Sequence, residues 1–310
     1  NPDMVHHTKK VAVDIFFIYG LYVCIIIVLS LVNIVAPKVP IAELTLNKEE
    51  TVEAITMFDK SVFATVKTQA KAYIVYDLTT GEVIASKNET LLLPLASITK
   101  VMTAVSATLH KQKTDKITIN PSSIEDSYDL GLKKNQVWSL GELLKYTLVF
   151  SSNDGAQAVS DSFGGDSVFL VQMNKDAKSL GLGSTFTDPA GRDEGSQIGG
   201  VGTVLDAAKL FAVARKNIPE LLDATTKKRS TVIAGGERLS GIPNTNQAVE
   251  GLPGAEASKT GYTDMAGGNL GIIVDITIGH PVVLVVLGST REGRFKDIDT
   301  LYTALQKSIR

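Results

Sequence analysis

The chain has 310 residues, with 31 lysines and arginines against 33 aspartates and glutamates, a net charge of −2. That balance excludes nucleic-acid binding through a broad basic face, and 44% apolar with 21% charged residues excludes bulk disorder. The single cysteine, Cys24, excludes a disulfide scaffold and a cysteine-based zinc site.

Near the N-terminus, Ile15 to Ala36 form 22 consecutive uncharged positions rich in Ile, Val, Leu and Phe. As a helix at ~1.5 Å per residue the run spans roughly 33 Å, enough for a hydrocarbon core of about 30 Å. Lys9 and Lys10 precede it, so the positive-inside tendency predicts residues 1–14 as a cytoplasmic tail and 15–36 as a single-pass membrane anchor. Everything after Pro37 is then expected outside the cytoplasm. A core helix of a soluble protein would not be apolar on every face. The main alternative is a cleaved signal sequence and a secreted protein. Against it, the run exceeds the usual apolar region of about 7–15 residues, and Ile34 would occupy the −3 position of a cleavage after Ala36.

Residues 37–69 read as a linker, with Pro37 and Pro40 breaking the helix and the polar Asn47-Lys48-Glu49-Glu50 following. From residue 70 to 310 the pattern is that of one mixed domain. Ala72–Tyr76 predicts a strand, Thr79-Thr80-Gly81 a turn and Glu82–Ala85 a return strand. Helical spacing follows over Ser97–His110, Leu140–Val149, Asp154–Phe163, Val168–Leu180 and Thr203–Lys216. Two late apolar runs, Leu270–Ile278 and Val282–Leu287, predict strands joined through Gly279-His280-Pro281, before a last amphipathic helix at about Phe295–Ile309. Strands at both ends with helices between them predict an α+β fold whose terminal segments pair in one antiparallel sheet.

Beyond the anchor the histidines are His110, closing a helix, and His280, in a hairpin turn; both are expected to face solvent. A Ser-His-Asp triad or a histidine zinc site therefore has little to draw on. Phosphate-binding glycine runs at strand-to-helix junctions do not occur.

What remains is serine chemistry based on lysine. Ser97-Ile98-Thr99-Lys100 holds the one Ser-x-x-Lys of the chain. At i,i+3 on a helix the amine of Lys100 can reach the Ser97 hydroxyl, and the helix N-terminus offers free N–H groups to a developing oxyanion. Ser151-Ser152-Asn153 lies between two helical segments, where a short loop can point side chains into a cleft. Lys259-Thr260-Gly261 stands at the start of a predicted strand, its glycine leaving room for a substrate backbone alongside. Each motif alone is ordinary capping or turn chemistry. The three in this order are not ordinary.

Together they resemble the signature of the serine D-alanyl-D-alanine carboxypeptidases, the low-molecular-mass penicillin-binding proteins. The likeness runs from about Ala70 to Arg310 and takes in Tyr76-Asp77-Leu78-Thr79-Thr80-Gly81, Ser151-Ser152-Asn153-Asp154 and Lys259-Thr260-Gly261-Tyr262-Thr263-Asp264 with Ala266-Gly267-Gly268. The resemblance implies a β-lactamase/transpeptidase-like fold, Ser97, Lys100, Ser151 and Asn153 as catalytic residues, and Lys259, Thr260, Gly261 and Tyr262 as substrate-binding residues. Ser97 would attack the penultimate D-alanine carbonyl of a peptidoglycan stem peptide, with Lys100, kept neutral by burial and the nearby Lys259, as base. The oxyanion would sit between the N–H groups of Ser97 and Tyr262. The resemblance implies no metal or organic cofactor, and β-lactam antibiotics as covalent inhibitors.

Two departures stand out. Thr187-Asp188-Pro189-Ala190-Gly191 has Ala190 where family members often carry histidine. Where the family often has a carboxylate-holding arginine, a rough alignment puts Ser289, with Arg291 and Arg294 close by. The last predicted helix reaches the end of the sequence, so the extra C-terminal β domain and amphipathic anchor of some relatives are not expected. Rival readings are a D,D-endopeptidase using the same residues, a class A-like β-lactamase, and a non-catalytic cell-wall binding module. The β-lactamase would need a Glu-x-x-Leu-Asn pattern, whereas Glu194 is followed by Gly195-Ser196; the binding module would be expected to have lost a catalytic group.

Overall fold

The computed structural model describes residues 57–124, 129 and 132–310. The expected tail at 1–14, the anchor at 15–36 and the linker up to residue 56 lie outside these residues. Among the described residues no helix is long and apolar enough to cross a membrane.

The terminal strands pair as the α+β reading expects. β1 (Ala72–Asp77) and β2 (Val83–Lys87) form a hairpin. Late in the chain come β3 (Ala255–Thr263), β4 (Gly267–Thr277) and β5 (His280–Ser289). All neighbours are antiparallel in a five-stranded sheet of order β3-β4-β5-β1-β2, so the first strand lies beside the last. β1 meets β5 in the register Ala72↔Leu287, Ile74↔Val285 and Tyr76↔Val283.

Successive side chains of a strand point to opposite faces, and here both faces are covered. Ile74, Ile273, Val283, Val285 and Leu287 join the larger core under the helices; Val75, Leu270, Ile272, Leu284 and Val286 join a second core on the other side. That explains why β4 and β5 read as continuous apolar runs rather than alternating ones.

On the first face lie α1 (Thr99–His110), α2 (Leu140–Phe150), α3 (Asn153–Asp161), α4 (Asp166–Ser179) and α5 (Val204–Asn217), followed by the one-turn α6 (Pro219–Asp223). Three of these helices are capped locally at their starts: Ser139 opens α2, Ser152 opens α3, and Thr203 with Asp206 makes a reciprocal capping box on α5. α7 (Gly293–Ser308) covers the second face.

Four features differ from the sequence reading. Phe58 and Phe63, placed in the linker, are buried in the second core, and the turn Lys60–Thr65 packs beside α7. Lys259 sits in the middle of β3, not at its start, because Ala255-Glu256-Ala257 already pairs with β4. The turn before β5 is narrower than expected, and His280 and Pro281 belong to the strand. His280 is therefore not solvent-facing: its Nε2 lies 3.0 Å from Oδ2 of the buried Asp77. A hairpin of strands Arg229–Ala234 and Glu237–Pro243 was not anticipated at all.

Candidate active site

β3 is the edge strand of the sheet, and its free edge faces the turn that carries Ser97. Ser97 lies in a 3-10 turn, Ala96–Ile98, that runs directly into α1. Ala96 has φ 47°, a left-handed conformation that costs a side-chain-bearing residue strain. The backbone kink presents Ser97 at the cleft while the following turn buries Lys100.

Lys100 is fully buried, at 0% exposure. Its Nζ lies 2.8 Å from Ser97 Oγ, 2.8 Å from Asn153 Oδ1 and 2.9 Å from the carbonyl of Ala190. An ammonium has three protons for these three acceptors. The neutral amine can keep the bonds to Asn153 and Ala190 and turn its lone pair to the Ser97 hydroxyl, the geometry a general base needs. Ala190 thus serves through its carbonyl, which any residue would supply. Asp188 holds that loop by accepting the N–H groups of Ala190 (2.8 Å) and Arg192 (2.9 Å). Gly191, at φ 75°, is required beside it, because a Cβ would lie 2.1 Å from the Ala96 carbonyl oxygen.

Ser151 ends α2 in a left-handed conformation, φ 65° and ψ 33°, which aims its hydroxyl across the cleft. Lys259 Nζ donates to Ser151 Oγ at 2.8 Å and to the Thr260 carbonyl at 2.9 Å. Burial, with the charges of Lys100 and Arg294, holds the Lys259 amine well below the ordinary lysine range. Lys100, Lys259 and Arg294 therefore converge on one seam, and the positive charge they can carry favours an anionic group in the cleft.

Gly261 is where β3 touches the Ser97 turn. A Cβ there would stand 3.0 Å from the Leu95 carbonyl oxygen and 3.2 Å from the Ser97 nitrogen. Tyr262, next along, is exposed; its ring lies under the Arg291 guanidinium at 4.9 Å and its hydroxyl donates to Asp264 at 3.2 Å. Ser97, Ser151 and Tyr262 line both lobes of the cleft. One lobe continues along Thr245, Thr260, Arg291 and Arg294; the other along Asn153, Arg192, Asp193 and Asp264.

All eight residues singled out from the sequence thus meet along one seam. Arg294 was not singled out. It is buried, its Nη1 donates to the Gly261 carbonyl at 2.7 Å, and its Nε is buried with no hydrogen-bond partner among the described residues. Burial lowers its pKa. A signal was available: Arg294 lies on the same stripe of α7 as Ile298, Leu301 and Leu305, all buried. An arginine on an apolar stripe needs a reason. Among the described residues no group of three or more His, Cys, Asp or Glu side chains is arranged to hold a metal ion.

Comparison with known proteins places this seam in context. The sequence profile of the D-alanyl-D-alanine carboxypeptidase family matches residues 59–291. A D-alanyl-D-alanine carboxypeptidase of Mycobacterium tuberculosis is 32% identical over 206 residues, 64% of this chain and 67% of that one. A D-alanyl-D-alanine endopeptidase of Haemophilus influenzae is 33% identical over 209 residues, 65% of this chain and 69% of that one. Among solved structures, penicillin-binding protein D2 of Listeria monocytogenes in its ampicillin-bound form is 29% identical with a TM-score of 0.68, over 77% of this chain and 98% of that one.

Proposed function

The chain belongs to the D-alanyl-D-alanine carboxypeptidase family of serine peptide hydrolases, and from that premise we propose how its seam removes a terminal D-alanine. Lys100, neutral, takes the proton of Ser97 as Oγ attacks the carbonyl of the penultimate D-alanine. The oxyanion is held by the N–H groups of Ser97 and Tyr262. As the C–N bond breaks, Ser151 passes its proton to the departing amine and is reprotonated with the proton that Lys100 took from Ser97, so free D-alanine leaves and Lys100 is neutral again. Water then attacks the Ser97 ester, with Lys100 again as base, and releases the shortened stem peptide. Asn153 orients Lys100 and the peptide.

The terminal carboxylate lies in the lobe of Thr260, with Lys259 and Arg294 supplying positive charge. We assign to Arg294 the anchoring role that the sequence left open. The observation that carries this reading is the 2.8 Å contact of the buried Lys100 amine with Ser97 Oγ, beside the 2.8 Å contact of Lys259 with Ser151. Penicillin carries a carboxylate and a reactive amide in the same relation, so it acylates Ser97. Intact mass after adding benzylpenicillin tests this: a stable adduct is expected on the wild type and none on Ser97→Ala. An adduct that persists on Ser97→Ala would refute the assignment.

Cleavage of cross-links is a second reading, favoured by the likeness to a protein named an endopeptidase. The substrate puts the catalytic domain outside the cytoplasm, and the uncharged run at residues 15–36 is the proposed means of holding it at the membrane. Recovery of the mature protein in the soluble fraction, lacking residues 1–36, would refute the anchor.

A further inference from the structure

Ser151 carries a side chain and yet holds a left-handed backbone, φ 65° and ψ 33°. Such a residue stays in place only where its surroundings over-determine it. One source of that hold is a carboxylate that none of the three motifs includes. Asp129 accepts the Tyr146 hydroxyl on Oδ1 at 2.5 Å and the Ser152 hydroxyl on Oδ2. An ionised carboxylate has no proton to give, so both hydroxyls donate, and bonds to a charged acceptor are the stronger kind.

The two donors are buried and stand on either side of Ser151. Tyr146 lies near the end of α2, its ring stacked on Phe150 at 5.4 Å and tilted against Trp138 at 5.6 Å. Ser152 is the N-cap of α3: its Oγ accepts the Gly155 N–H at 2.6 Å, so the helix begins at Asn153. Gly155 in turn sits so close to α2 that a Cβ would lie 2.4 Å from Thr147 Oγ1. Asp129 therefore ties the end of α2 to the start of α3. The turn between them aims Ser151 at Lys259 and Asn153 at Lys100, each at 2.8 Å.

We propose that Asp129 is a positioning residue for the reaction: bonded to Tyr146 and Ser152, it holds the Ser151–Asn153 turn in the strained form that brings Ser151 and Asn153 to the reacting groups. The proposal rests on the roles assigned above to these two residues. The test measures kcat and KM for release of D-alanine from a stem pentapeptide by the full-length protein, with urea unfolding alongside. The wild type is compared with Asp129→Ala, Asp129→Asn and Ser151→Ala. A Tyr146→Phe, Ser152→Ala double variant is compared with the same variant carrying Asp129→Ala.

Asp129→Ala should lower kcat on the order of 10²-fold and change KM by less than about threefold, because Ser151 acts in the transition state. Asp129→Asn keeps one acceptor oxygen and should lie about tenfold below the wild type in kcat. On the background lacking both hydroxyls, Asp129→Ala should bring no further loss of rate. Wild-type kcat in Asp129→Ala, or in Asp129→Asn should the alanine variant not fold, would make Asp129 merely structural and overturn the proposal. A change confined to KM would do the same. A further loss on the background without the hydroxyls would overturn the route through them. If Ser151→Ala releases D-alanine as fast as the wild type, the role of Ser151 falls, and this inference with it.

Discussion

The middle of the sheet and the seam along its free edge are made of opposite materials. In β4 and β5, Leu270, Ile272, Val274, Leu284 and Val286 are fully buried and hydrogen-bonded to strands on both sides. A few residues away, the seam buries Lys100, Lys259 and Arg294 and holds Ala96 and Ser151 in left-handed backbone conformations. β3 belongs to both: one edge is paired with β4 while the other faces Ser97. The sheet is a source of stability, and the seam spends part of it on charge and strain that an enzyme needs. Changes in the two regions should therefore separate stability from rate.

The largest effect is expected from Lys100→Met, which removes the proposed base without opening a cavity. Acylation by benzylpenicillin should fall on the order of 10³-fold, with a cooperative urea transition retained. A rate within a few fold of wild type would break the contrast. Ile272→Ala should do the reverse. Urea denaturation should show a loss of about 3 kcal/mol, while the acylation rate of the folded fraction stays unchanged. Gly261→Ala falls between them, because its new methyl presses on the Ser97 turn. Acylation should slow by about 10²-fold with little change in the denaturation midpoint.

The smallest effect is on pH dependence. Lys259 has a folded pKa below its unfolded value, so over that interval the unfolded chain binds more protons and stability rises with pH. Relative to Lys259→Met, the wild type should gain stability from the folded pKa of Lys259 up toward 10.5, and the variant should lack this slope. Thermal unfolding across that range measures it. A wild type that loses stability relative to the variant as pH rises would contradict the account.

The same contrast explains what could be read from the sequence. Apolar runs in β4 and β5, and the spacing of α1 to α5, are local patterns, so the α+β layout was legible. So was the nearness of Ser97 to Lys100 and of Ser151 to Asn153, because residues at such short spacings lie side by side, and the three motifs taken together set them apart from ordinary capping chemistry. Arg294 was missed because it reaches Gly261 from 33 residues away, through the packing of α7. The part of Ala190 was illegible for another reason: its carbonyl, not its side chain, meets Lys100. Asp129 was illegible too, because it meets Tyr146 and Ser152 from 17 and 23 residues away. His280 shows the same limit, since only the β1–β5 pairing brings it to Asp77.

The most direct test of the central claim is release of free D-alanine from a stem pentapeptide ending in D-Ala-D-Ala, followed by mass spectrometry for the wild type and Ser97→Ala. The account predicts one D-alanine per peptide with the wild type and none with the variant. Release that survives in Ser97→Ala, or a wild type that cuts cross-linked dimers and leaves the pentapeptide whole, would contradict it.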